Sequence, residues 1–397
     1  LVGIIIFVVF IVFNTISQHK KLRGGQLVTN FVTDTIHFTY APSGHILIQA
    51  KMNGSKKSYP FILDSGASNF VFSNFPQGDS LENNVFGIGI GSKGNVFIKK
   101  IKEIDSLQIG NLTFVELSAN KIDFDSDCSE GIYGIIGTGV MYHLVWQIDF
   151  EQQFIVVAKE VNNLTLSNNK IVIPLHENKY SHHLSAYIKF SALKKSKEIL
   201  IDLGNSGSLT FKEEVLLVDS LDLKCKEISG SARKGLGQDD KIKGGEKYYL
   251  LDSLLFNRTS FFVKDMPIST SPKGLNLLGL GFFKKYRTTI SWADKKIILE
   301  PYEHEQNFIW STLGFSTRYD NELNKVVVAS VTDSTAAYRA GLPLGAEVVS
   351  INGIIFSDLS SYCDYKSAKL LPDTVNVTIK ESNYNKEYTL VKEPIFN

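Results

Sequence analysis

The chain predicts a mainly β protein: two similar lobes, followed by a smaller C-terminal domain. Three observations carry this. From Thr35 to about Pro301 the sequence is a succession of short β-branched and aromatic runs separated by Gly, Asn and Asp, with hardly any helical periodicity. Within that stretch three landmarks occur twice in the same order. Beyond Pro301 the texture changes to Val326-Val327-Val328-Ala329, Ala336-Ala337-Tyr338-Arg339-Ala340-Gly341-Leu342 and Ile351-Asn352-Gly353.

At 397 residues the chain exceeds one ordinary domain, since domains typically hold ~100–200 residues. Hydrophobic residues at 43% against 21% charged suffice for a real core, which excludes wholesale disorder. With 42 Lys plus Arg against 41 Asp plus Glu, no global field steers the molecule toward nucleic acid, so nucleic acid is not expected as a partner.

Residues 1–24 open on an almost wholly apolar run, broken by Asn14 and Thr15 and followed by Lys20, Lys21 and Arg23. Sixteen apolar residues at ~1.5 Å rise fall short of a ~30 Å bilayer core. The segment therefore reads as a signal-peptide apolar region, a trimmed span or a short anchor, and a membrane is an expected partner. Cys128, Cys225 and Cys363 form no metal-ligand spacing and read as buried thiols, with a Cys128–Cys225 bridge as the alternative. No metal and no cofactor are expected.

The first lobe is expected over residues 35–161 and the second over 170–301, joined by an Asn-rich loop near 161–170. Phe61-Ile62-Leu63-Asp64-Ser65-Gly66 is answered by Leu200-Ile201-Asp202-Leu203-Gly204, at an offset of 138. Gly134-Ile135-Ile136-Gly137 is answered by Asn276-Leu277-Leu278-Gly279, and Trp146-Gln147-Ile148 by Thr288-Thr289-Ile290, both at 142. One Asp-Ser-Gly is a common turn. Two, at equivalent places in a repeated β framework, bring two carboxylates together on a pseudo-twofold axis. Close carboxylates cannot both ionise easily, so the pair titrates as a unit and offers an acid and a base in one site.

At these residues the sequence resembles the aspartic protease clan of retropepsins and pepsins, and most resembles bacterial two-lobed members with a C-terminal PDZ domain. The resemblance implies acid-protease-like β-barrel lobes, a catalytic pair Asp64 and Asp202, and active turns shaped by Ser65, Gly66 and Gly204. It further implies that Ile135-Ile136-Gly137 and Leu277-Leu278-Gly279 thread behind the two turns. Gly87, Ile88, Gly89, Ile90 and Gly91 are similar to a retropepsin flap over substrate, with a weaker echo at Gly235 and Gly237; a plain hairpin turn is the other reading of both. A polypeptide substrate and an exported or membrane-anchored body in the cell envelope (periplasmic or extracytoplasmic) follow from the same likeness. Because both aspartates lie in one chain, the pair needs no homodimer. Leu203 departs from the family pattern, which places a hydroxylated residue there to hydrogen-bond across the lobes.

Residues 308–397 resemble a PDZ domain, with Leu313-Gly314-Phe315 as the loop whose backbone N–H groups receive a peptide C-terminus. Two other functions remain open at this point. Leu203 motivates a catalytically silent peptide-binding scaffold. Gly204-Asn205-Ser206-Gly207 is similar to the nucleophile turn of chymotrypsin-like serine proteases. That reading needs a histidine base, whereas His37, His45, His143, His176, His182 and His183 read as exposed or loop side chains.

Overall fold

The computed structural model describes residues 25–76, 83–90, 96–124, 128–190, 195–217, 223–230, 245–272, 274–303, 308–368, 372–382 and 384–396. Residues 1–24, Gly91, Gly235 and Gly237 lie outside them. Among the described residues no helix is long and apolar enough to cross a membrane.

Strand takes 52% and helix 9%, so the protein is mainly β, with two closed six-stranded β-barrels. In the first, the strand Ile46–Met52 alternates: Ile46, Ile48, Ala50 and Met52 point inward, as period 2 demands of a strand with one wet face. The next strand, Tyr59–Leu63, is buried at every position but Pro60, because it runs through the middle of the lobe. It pairs in parallel with Gly134–Ile136, Ile62 opposite Ile135 and Leu63 opposite Ile136. The strand Phe70–Phe72 pairs with Gly134–Ile136 from the other side, antiparallel.

The second barrel repeats this order. Lys197–Asp202 pairs in parallel with Leu277–Gly279, and Leu209–Lys212 pairs with Leu277–Gly279 antiparallel. A short helix follows each glycine, Thr138–Met141 in one lobe and Leu280–Phe283 in the other. The lobes are joined through a continuous sheet in which Val145–Asp149 pairs antiparallel with Tyr286–Ser291, Trp146 opposite Ile290. Trp146 and Ile290 are fully buried in one core that spans both lobes.

The C-terminal unit has its own core, built on Leu313, Val328, Ile351, Val377 and Leu390 among others. It holds a four-stranded sheet, the hairpin of Phe315–Asp320 with Lys325–Thr332, and the helices Ala336–Arg339 and Leu359–Ser367. Strand pairing and a disulfide are among the connections that fix it to the lobes. Lys325–Thr332 pairs with Cys225–Gly230 of lobe two, so one ten-stranded sheet runs from that barrel into the C-terminal unit. A disulfide joins Cys128 of lobe one to Cys363 on the helix Leu359–Ser367.

The cysteine expectation is corrected here. Cys128 packs against the core of the C-terminal unit, and its Cα atom lies 5.2 Å from that of Cys363, within bridging reach. Cys225 is an exposed free thiol on the strand that docks the C-terminal unit. The bridge spans 235 residues of sequence, and restricting so long a loop in the unfolded chain contributes about 2–4 kcal/mol. Cys363→Ser is therefore expected to lower the unfolding free energy by that amount in a urea titration. Coincident curves for variant and oxidised wild type would contradict it.

Candidate active site

Asp64 and Asp202 each stand at the end of a buried strand, and the fold brings them together across the pseudo-twofold axis. The close approach depends on the glycines of the opposite turns. A Cβ on Gly66 would sit 2.5 Å from Cγ of Asp202, and one on Gly204 would sit 2.1 Å from Oδ2 of Asp64. Only a residue without a side chain leaves room for each carboxylate over the opposite turn. Gly66 N–H donates to Asp64 Oδ1 at 2.7 Å, and Gly204 N–H donates to Asp202 Oδ1 at 2.9 Å. Both aspartates are 7% exposed, so most of their remaining interactions are with each other and with the turns.

Burial pushes the Asp64 carboxyl up from the ordinary carboxylate value, but the Gly66 N–H, the hydrogen bond with Asp202, nearby His45 and the Gly204 N–H all pull against that. Burial pushes Asp202 well up, and the Asp64 charge and the hydrogen bond with Asp64 push the same way. Both carboxyls are thus raised, Asp202 further than Asp64, and the pair titrates as a unit with one shared proton.

Behind the turns, Gly137 and Gly279 thread where a Cβ would lie 2.3 Å from the carbonyl oxygens of Ala67 and Gly207. Thr138 N–H donates to Ala67 O and Leu280 N–H to Asn205 O, both at 2.8 Å, so each segment pins its turn from below.

Ser65 ties the turns to each other. Its hydroxyl donates to Ile201 O at 2.8 Å and accepts from Leu203 N–H at 3.1 Å. The Leu203 side chain is fully buried and packs into the core shared by both lobes. Burying a leucine contributes ~1.5–3 kcal/mol, against ~1 kcal/mol for one hydrogen bond. Packing thus takes the place of the hydroxyl that Leu203 lacks.

Gly87, Ile88, Gly89 and Ile90 lie in the strand Asn83–Ile90, which forms a hairpin with Val96–Ile109; Gly87 is opposite Lys99 and Ile90 opposite Val96. Ser206 is exposed on the lobe-two turn, and among the described residues its hydroxyl makes no hydrogen bond to a histidine. Leu313, Gly314 and Phe315 open the C-terminal unit. Gly314 N–H donates to Thr312 Oγ1 at 3.0 Å, and Gly314 O accepts from Thr332 N–H.

One residue of the site escapes the sequence reading. His45 lies in a loop, as expected, but it is half-buried, with Nε2 2.7 Å from Gly204 O. A signal for it exists: His45 and His183 each stand 19 positions before an aspartate, and their offset of 138 is that of Asp64 and Asp202. No family model matches the chain, and no curated protein matches it.

Proposed function

We propose that the chain is an aspartic endopeptidase that hydrolyses peptide bonds by a water-activating pair, Asp64 and Asp202. The observation that carries this reading is the buried carboxylate pair, each member seated over the opposite glycine and held by a turn N–H. Ionised Asp64 takes a proton from a water, and the water oxygen bonds to the peptide carbonyl carbon. Asp202 gives its proton to the carbonyl oxygen, so a neutral gem-diol forms with no free charge in a water-poor site. The gem-diol then collapses: one hydroxyl proton returns to Asp202, the proton on Asp64 passes to the amide nitrogen, and the C–N bond breaks. Acid and amine leave and the pair regains its starting state. The strand Asn83–Ile90, with Gly91 beyond it, supplies the flap over the bound polypeptide in this reading.

A silent scaffold drew its motive from Leu203 alone. Ser65 supplies two cross-lobe bonds and Leu203 is fully packed, which favours an active pair. The serine reading gains no support, since Ser206 has no histidine partner among the described residues.

For the C-terminal unit the reading is a PDZ-type module with Leu313-Gly314-Phe315 as its carboxylate loop, in a protein exported to or anchored at the cell envelope. A peptide would add as a strand between Phe315–Asp320 and the helix Leu359–Ser367. In this chain Tyr362, on that helix, is fully buried and donates its hydroxyl to Thr317 O at 2.8 Å. Peptide addition at this edge therefore requires the Tyr362–Thr317 bond to break, and with that bond in place the unit serves as a brace linked to lobe one by the disulfide and to lobe two by strand pairing. The test of the peptidase reading is cleavage of an unfolded protein by the full chain, with cleavage expected from wild type and none from a folded Asp64→Asn.

A further inference from the structure

His45 precedes the strand Ile46–Met52 in lobe one, at the end of a tight loop in which Gly44 N–H donates to Ala41 O and Ala41 N–H donates to His45 O, both at 2.9 Å. Both ring nitrogens are engaged. Gly204 O can only accept, so Nε2 at 2.7 Å carries the ring hydrogen. Nδ1 then accepts from the Ser43 hydroxyl at 2.7 Å, and the tautomer is set by its two partners.

The Gly204 peptide is a junction. Its N–H holds Asp202, its Cα is the surface over which Asp64 lies, and its carbonyl is held by His45. The contact crosses from lobe one to the lobe-two turn, the same direction in which Ser65 reaches. The charged groups facing the ring are Asp64 and Lys284; Lys284 donates to Gly44 O at 3.2 Å and sits 4.2 Å from the Tyr40 ring centroid. Burial lowers the tendency of the ring to protonate and Lys284 adds to that, while the bond to Gly204 O and the Asp64 charge oppose it; the net shift is downward.

We propose that His45 is a positioning residue of the aspartate pair: its Nε2–H, bound to Gly204 O, sets the lobe-two turn from lobe one. The inference rests on the peptidase reading of Asp64 and Asp202. It does not ask His45 to touch substrate or to transfer a proton. Misplacing a catalytic group by about 1 Å costs about 10²-fold, and the loss falls on the chemical step, because the substrate-binding surface is left intact.

The test compares His45→Ala and His45→Gln in the full chain, with an unfolded protein and a peptide derived from it as substrates. Expected for His45→Ala is a fall in kcat of about 10–100-fold with KM within about twofold of wild type. Glutamine keeps an N–H donor at similar reach, and His45→Gln is expected to recover kcat to within several-fold. A kcat for His45→Ala within twofold of wild type overturns the proposal, as does an equal loss in both variants at an unchanged unfolding midpoint. A second measurement needs neither activity nor a variant. In wild type labelled with ring-15N histidine and carbonyl-13C glycine, the His45 Nε2–H is expected to exchange slowly and to show scalar coupling to the Gly204 carbonyl carbon; a fast-exchanging proton without coupling overturns the proposal. If the peptidase reading fails, no variant cleaves while the coupling persists, so the two failures are distinct.

Discussion

Asp202→Asn is expected to lower peptide hydrolysis by roughly 10³-fold or more while making the protein more stable at neutral pH. A positioned general acid or base contributes about 10²–10⁴-fold, and members of a catalytic unit lose their effects together. The stability gain follows from linkage. Asp202 has a folded pKa raised well above its unfolded value, by burial first and then by the Asp64 charge. Such a group contributes stability that is present below the ordinary carboxylate value of about 3.9 and is lost as pH rises through the folded value. Near pH 7 the unfolded wild type ionises Asp202 freely, whereas the folded chain must keep it protonated or crowd two charges, and asparagine, neutral in both states, avoids that cost. Urea unfolding of both proteins at pH 4 and pH 7 should show the variant ahead by ~0.5–2 kcal/mol at pH 7, with a smaller gap at pH 4. A variant less stable than wild type at pH 7 would mean that the pair is not crowded as described.

Ser65→Ala is expected to cost roughly 2–5 kcal/mol, because one buried hydroxyl serves two buried backbone groups. Alanine leaves Ile201 O and Leu203 N–H without that partner, and each unpaired buried group costs about 1–3 kcal/mol. The Leu203 side chain carries no group that could replace that hydroxyl. Activity should fall as well, since the lobe-two turn carries Asp202. Unfolding free energy from urea titration checks the first effect, and kcat measured where the variant is still folded checks the second. A change below about 1 kcal/mol would remove Ser65 from the account.

The aspartates are legible in the sequence because a repeat marks them: equal motifs at equal offsets imply equivalent places in two β lobes, and the glycine after each motif implies close approach. The mainly β character follows from the runs of Val, Ile, Leu and Phe, whose alternation in Ile46–Met52 is that of a strand with one wet face. The segments ending at Gly137 and Gly279 are readable for the same reason as the aspartates. What escapes depends on pairings that no local pattern encodes. Cys128 and Cys363 are 235 positions apart and meet only because Cys128 packs against the core of the C-terminal unit. Leu203 looks like a defect beside its motif and turns out to be core, since a side chain's burial belongs to the whole lobe. His45 carries the same offset as the aspartates, but a lone histidine before a strand has no chemistry of its own until Gly204 O is placed against it. Tyr362 is one more aromatic on a short helix until its hydroxyl is seen on Thr317 O.

The most direct test of the central claim is cleavage of an unfolded protein by the full chain across roughly pH 3–8, the range in which a carboxylate pair exchanges its protons, with Asp64→Asn and Ser206→Ala run beside wild type. Cleavage by wild type and by Ser206→Ala, with none by a folded Asp64→Asn, is the predicted result. Cleavage that survives Asp64→Asn, or that disappears with Ser206→Ala, would contradict the account.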